Sequence, residues 1–265
     1  MQHAVTHDGL EIAYWTEGAG TPVVWLQGLN ADHTAWASQV AAFRGEYLCI
    51  AIDNRDVGRS GRASGPYTLA DMAGDVRTVL DALAAPDAHV VGLSMGGSIA
   101  QHLALAAPEW VRSLTLVSSF ARPDARLVEI LEAWRAIYPR LGPAEFARQA
   151  WPWLFSWRFF ERPANVRNLH RYAENNPTPQ QPDAFARQVG ASLGHDTRAR
   201  LGEIAAPTLV IAGAEDALVP TYLAQELAAG VPGAAYAELA GAGHSANLEG
   251  RAEFNRVLRS FLAAH

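Results

Sequence analysis

The stretch that most restricts what this chain can fold into is AHVVGLSMGG (88–97). It is an apolar run of β character followed by a serine with glycine two places before and two places after it, leading into a helical pattern over 95–109. A strand that turns straight into a helix through one residue strains that residue and crowds the positions two away, where only glycine fits. Gly92 and Gly96 meet that need, so Ser94 is predicted to stand exposed above a sheet at the amino end of a helix, as a nucleophile elbow.

The rest of the chain supplies the sheet that such a turn requires. Short apolar runs at 10–15, 22–27, 47–53, 88–94, 113–119 and 207–213 read as strands, most of them continuously apolar, as strands covered on both faces are. Helical patterns lie between them at 68–85, opened by Thr68 as N-cap, and at 95–109, 220–233 and 247–265. This alternation predicts an α/β fold with a mostly parallel, doubly wound sheet. Residues 120–200 break the rhythm with helical periodicity, no strand-like run and four of the chain's eight tryptophans, so they are expected to form a helical cap insertion in a core made of 1–119 and 201–265. Within it NNPTPQQP (175–182) reads as a loop or hinge.

A serine hydroxyl needs a base, and the base needs an orienting acid. The order serine, acid, histidine is met by Asp216 in IAGAEDALVP and His244 in LAGAGHSANLEG, each in a loop after an apolar run or before the last helix. Glu215 adjoins Asp216, but only one of two neighbours can point at His244. His3, His7 and His265 lie near the termini, His102 lies in a helix, and His89 and His195 read as structural or surface residues. The insertion's Trp134, Trp151, Trp153, Phe155 and Trp157 are expected to line an apolar substrate pocket, with Gln27 and Asn30 beside them.

GLSMGG, GAEDALVP and GAGHSANLE resemble the nucleophile, acid and histidine motifs of the α/β-hydrolase superfamily, and DNRDVGRSG (53–61) resembles its loop after the fourth strand. The stretches 65–83 and 88–119 are similar to the branch holding 3-oxoadipate enol-lactonases, haloperoxidase-type esterases and aclacinomycin methylesterase-like enzymes. The resemblance implies the α/β-hydrolase fold, a serine hydrolase acting through an acyl-enzyme on Ser94, and an oxyanion hole made of the backbone amides of Leu29 and Met95. Two departures stand out. Gln27-Gly28 replaces His-Gly, and Asp56 stands where glycine is expected, read either as a carboxylate near the site or as a solvated loop charge. Asp53 and Arg55 read as braces of that loop.

The implied reaction is cleavage of a carboxylic ester or lactone of a small, mainly apolar or aromatic substrate. The competing readings are an enol-lactonase whose anionic lactone is held by an insertion arginine (Arg135, Arg140, Arg148, Arg158 or Arg162), a carbon–carbon bond hydrolase, and a ligand receptor without turnover. No spacing of His, Cys or Glu suggests a metal, and no cofactor is expected. A formal charge of −6 argues against nucleic acid or an anionic membrane surface as partner. No run of about 18 apolar residues suggests a membrane span. The single cysteine, Cys49, in an apolar run, and a beginning without a basic stretch and apolar core point to a reducing, cytoplasmic setting. The sequence sets no oligomeric state.

Overall fold

The computed structural model describes residues 1–265. Its eight strands are β1 (Gln2–Val5), β2 (Glu11–Glu17), β3 (Pro22–Leu26), β4 (Leu48–Ile52), β5 (Ala88–Leu93), β6 (Val111–Val117), β7 (Thr208–Gly213) and β8 (Ala235–Leu239). They form one sheet in the order β1-β2-β4-β3-β5-β6-β7-β8. Strands β3 to β8 run parallel, and only β2 opposes its neighbours. This is the α/β-hydrolase fold expected from the motifs. The six expected strands are present. The two that the sequence did not reveal, β1 and β8, are edge strands with mostly exposed side chains and no apolar run.

The helices are α1 (Ala37–Phe43), α2 (Leu69–Ala82), α3 (Met95–Ala106), α4 (Ala125–Leu141), α5 (Pro143–Leu154), α6 (Trp157–Phe160), α7 (Pro163–Glu174), α8 (Pro182–Leu193), α9 (Thr221–Gly230), α10 (Ala246–Glu249) and α11 (Arg251–Ala264). Helix α2 starts with a capping box, in which the Asp71 amide donates to Thr68 Oγ1 and the Thr68 amide to Asp71 Oδ2. Successive strand residues point to opposite faces. Val24, Ile50 and Val90 pack with α2, α3 and α9, while Trp25, Cys49 and Val91 pack with α1 and α11. Burial in the second layer pushes the Cys49 thiol up to about 11, so it behaves as a small hydrophobe. No helix is long and apolar enough to cross a membrane.

Five helices, α4 to α8, intervene between β6 and β7. Proline at the first turn of α5, α7 and α8 sets where each begins, because its missing N–H costs nothing there. Their interior is aromatic: Tyr138 stacks on Phe185 with centroids 4.1 Å apart, and Phe146 meets Tyr138, Phe185 and Trp134 edge-on.

Two buried histidines load the fold against acid. His89 bonds Ser113 Oγ at 2.7 Å, and His195 lies 3.1 Å from the Phe120 carbonyl through Nε2 and 3.1 Å from His102 through Nδ1. Burial lowers both imidazoles from 6.5 to about 4. The unfolded chain therefore binds protons that the folded chain does not, and stability falls as pH drops from about 6.5 to 4, by roughly 3 kcal/mol for each group. Asp75 and Glu249, raised by burial, act with the opposite sign. His195→Gln is accordingly expected to flatten the pH dependence of denaturant midpoints between pH 7 and 4 relative to wild type. An unchanged slope refutes the assignment.

Candidate active site

Strands β5, β7 and β8 are parallel, so the loops at their C-terminal ends meet along one edge of the sheet, where ligands of such sheets bind. Ser94 follows β5, Asp216 follows β7 and His244 follows β8. Ser94 has φ 55° and ψ −120°, a conformation costly for any residue with a Cβ. A Cβ on Gly92 would lie 2.3 Å from the Gly96 carbonyl oxygen, and one on Gly96 would lie 2.3 Å from the Leu26 carbonyl oxygen. Both glycines are thus required by the close approach of strand and helix, as the sequence pattern demanded. Ser119 Oγ donates to the Ser94 carbonyl at 2.8 Å and ties the turn to the end of β6.

Asp216 and His244 are buried and bonded, His244 Nδ1 to Asp216 Oδ2 at 2.9 Å. The other carboxylate oxygen accepts the amides of Leu218 at 2.9 Å and Val219 at 2.8 Å. This fixes the carboxylate, makes His244 Nδ1 the donor and leaves Nε2 to accept a proton. Glu215 turns away to Arg158, 3.2 Å distant. The histidine loop is held from the insertion. The Ser245 amide donates to the Leu154 carbonyl at 2.9 Å. Glu249 accepts from the Gly243 amide at 2.9 Å and from Ser156 Oγ at 2.6 Å. Burial raises the Glu249 carboxyl above its ordinary range, against the pull of these hydrogen bonds.

Met95, the first residue of α3, has no intrahelical acceptor for its amide, and the Leu29 amide donates to no backbone or side-chain acceptor. Gly28 packs against Ser94, since a Cβ there would sit 3.3 Å from Ser94 Cβ. Leu29, Ser94 and Met95 share a cavity of about 30 Å³ with Phe120, Leu127, Leu131, Trp134, Ser192, Leu218 and Val219. Leu218 and Val219 also cap Asp216, so the acid's loop forms one wall of the serine's cavity.

Of the expected pocket residues, only Trp134 lines this cavity. Trp151 packs edge-on against His170, Trp153 lies under Arg126, Phe155 stacks on Phe159, and Trp157 is 57% exposed beneath Arg158. The expected aromatic lining is thus represented in this cavity by Trp134 alone, while Trp153 packs against the apolar cluster that holds Trp134 and Leu131. Gln27 is fully buried and donates through Nε2 to the Ile52 carbonyl, away from the cavity. Asn30, at φ 62°, donates its amide to Gln188 Oε1 at 3.2 Å.

Asp56 is neither a free carboxylate beside the site nor a solvated charge. It is buried at φ 70°, paired through two hydrogen bonds of 2.8 Å with Arg187 of α8. These bonds hold the Arg187 guanidinium charged. Asp53 braces its loop through the amides of His33 and Arg59, and Arg55 is bidentate to Asp75. Sequence reasoning missed Arg187, Gln188 and Glu249. Gln188 carried a signal: with Ser192, it falls in phase with buried Phe185 and Val189 on α8, a polar pair on the apolar stripe. No group of three or more His, Cys, Asp or Glu is placed to hold a metal.

Residues 21–251 match the family described as alpha/beta hydrolase fold. The chain is 36% identical over 255 residues to a protein of Azorhizobium caulinodans named as carbamate hydrolase RutD, covering 95% of this chain and 94% of that one. The enol-lactonase of Burkholderia xenovorans superposes with a TM-score of 0.90 at 28% identity, covering 99% of this chain and 100% of the other. A thermophilic esterase from Thermogutta terrifontis gives a TM-score of 0.88 at 25% identity, covering 100% and 99%.

Proposed function

The chain belongs to the alpha/beta hydrolase fold family, and from that premise we propose that it cleaves a carboxylic ester or lactone with a short, neutral acyl group through an acyl-enzyme on Ser94. The observation that carries this reading is the buried Asp216–His244 pair at the sheet edge that also bears the elbow serine. His244 Nε2 takes the hydroxyl proton as Ser94 Oγ attacks the carbonyl carbon, and Asp216 stabilises the imidazolium that results. The amides of Leu29 and Met95 bind the tetrahedral oxyanion. The imidazolium then protonates the leaving alcohol. A water molecule, deprotonated by the same histidine, cleaves the acyl-serine ester and frees the enzyme.

Cavity size and lining supply the substrate preference. About 30 Å³ is an order of magnitude below the roughly 300–1,000 Å³ of pockets for drug-sized ligands. Its lining includes no cationic side chain, so nothing there anchors a carboxylate. Arg158 lies instead in an open groove with Arg162 and is paired with Glu215. Acetyl and propionyl esters are expected to exceed octanoyl esters at least tenfold in kcat/KM, since added methylenes find no space. A neutral lactone should likewise exceed an anionic lactone of similar size. A tenfold advantage for the anion, falling steeply with added salt, would overturn the reading in favour of an arginine-anchored enol-lactonase.

A further inference from the structure

The geometry points to Gln188, on the cap-like insertion, as the positioning residue for the oxyanion loop; the inference rests on the serine mechanism proposed above. The Leu29 amide can stabilise an oxyanion only if the Gly28–Leu29 peptide plane is held still. One side of that loop is anchored in the core, where Asn54 Nδ2 donates to the Gln27 carbonyl at 3.2 Å and Gly28 lies against Ser94. On the other side the Leu29–Asn30 peptide is anchored by a single side chain from another part of the chain, Gln188 Oε1, which accepts the Asn30 amide at 3.2 Å.

Gln188 makes this contact from a fully buried position on α8, and its other polar end, Nε2, donates to the Arg55 carbonyl at 3.3 Å. Burying a primary amide is unfavourable unless both ends find partners, and a leucine would fill the same space without that demand. Here both ends meet backbone groups in two loops at the C-terminal edge of the sheet. One turn further along α8, Ser192 donates to the Gln188 carbonyl at 3.0 Å and lines the serine's cavity. Asn30 sits in the left-handed region at φ 62°, so losing its acceptor removes part of what holds an uncommon conformation.

Loss of an oxyanion donor outright costs about 10²–10³ in kcat, and loosening one costs part of that. Gln188→Met, similar in size but without hydrogen bonds, is expected to lower kcat about 10- to 100-fold with KM within about threefold. Affinity for an alkylboronic acid, which forms a tetrahedral adduct on the serine, should fall in step with kcat. Hydrogen exchange at the Asn30 amide should quicken at least tenfold, while Gly97, bonded to the Ser94 carbonyl, keeps its protection. Gln188→Asn, polar but one methylene too short, should behave the same way and carries the test if the methionine variant does not fold. A rise in KM with kcat unchanged, or unmoved exchange at Asn30, overturns the inference. Turnover surviving in Ser94→Ala overturns instead the mechanism beneath it, and the exchange measurement separates the two because it needs no turnover.

Discussion

Ser94→Ala is expected to keep the fold and, on the proposed mechanism, to lose about 10⁶-fold in kcat, because removing the nucleophile of a serine triad costs as much as removing the triad. Alanine keeps the Cβ, so the strained φ of 55° and the closeness of Gly92 and Gly96 are unchanged and Tm should shift little. Ser94→Gly separates the two properties of this position. Glycine adopts positive φ freely, so that variant should be equally inactive yet more stable than the alanine variant by about 1 kcal/mol. Activity of purified Ser94→Ala above a trace of wild type, or Ser94→Gly less stable than Ser94→Ala, would refute the account.

The largest expected effect on stability lies at Arg187. The Asp56 side chain is fully buried, and Arg187→Met leaves its charge without a cation at a cost of about 3–5 kcal/mol. At about 2–4 °C per kcal/mol for a chain of this size, Tm should fall on the order of 10 °C. The cost belongs to the orphaned charge and not to the lost contact, so Asp56→Gly combined with Arg187→Met should recover most of the loss. Glycine also suits the positive φ at position 56. A double variant as unstable as the sum of its singles would show that the pair contributes no coupling.

The elbow and the sheet were legible because local chemistry dictates them. Gly92 and Gly96 answer a steric demand within five residues, and buried parallel strands announce themselves as continuous apolar runs. The order of Ser94, Asp216 and His244 follows from topology, so it too can be read along the chain. The edge strands β1 and β8 and the short α1 lack a strong period and went unseen. Which insertion rings face the serine's cavity was not legible for a different reason. Counting rings in the insertion measures its apolar content, not the direction each ring faces, and Trp151, Trp153, Phe155 and Trp157 turn to their own neighbours. The partners of Asp56 and Asn30 lie 131 and 158 residues away, beyond any local pattern.

The helices between β6 and β7 bear on how this enzyme can be re-engineered. Each of three core loops hangs from them by a polar tether: the Asn30 loop from Gln188, the Asp56 loop from Arg187, and the histidine loop from Leu154 and Ser156. Grafting the corresponding segment of a relative onto this scaffold is therefore no clean exchange of specificity modules. A chimera lacking the counterparts of Gln188, Arg187 and Ser156 would inherit a new binding surface above loosened machinery, and these three side chains must travel with the scaffold rather than with the graft.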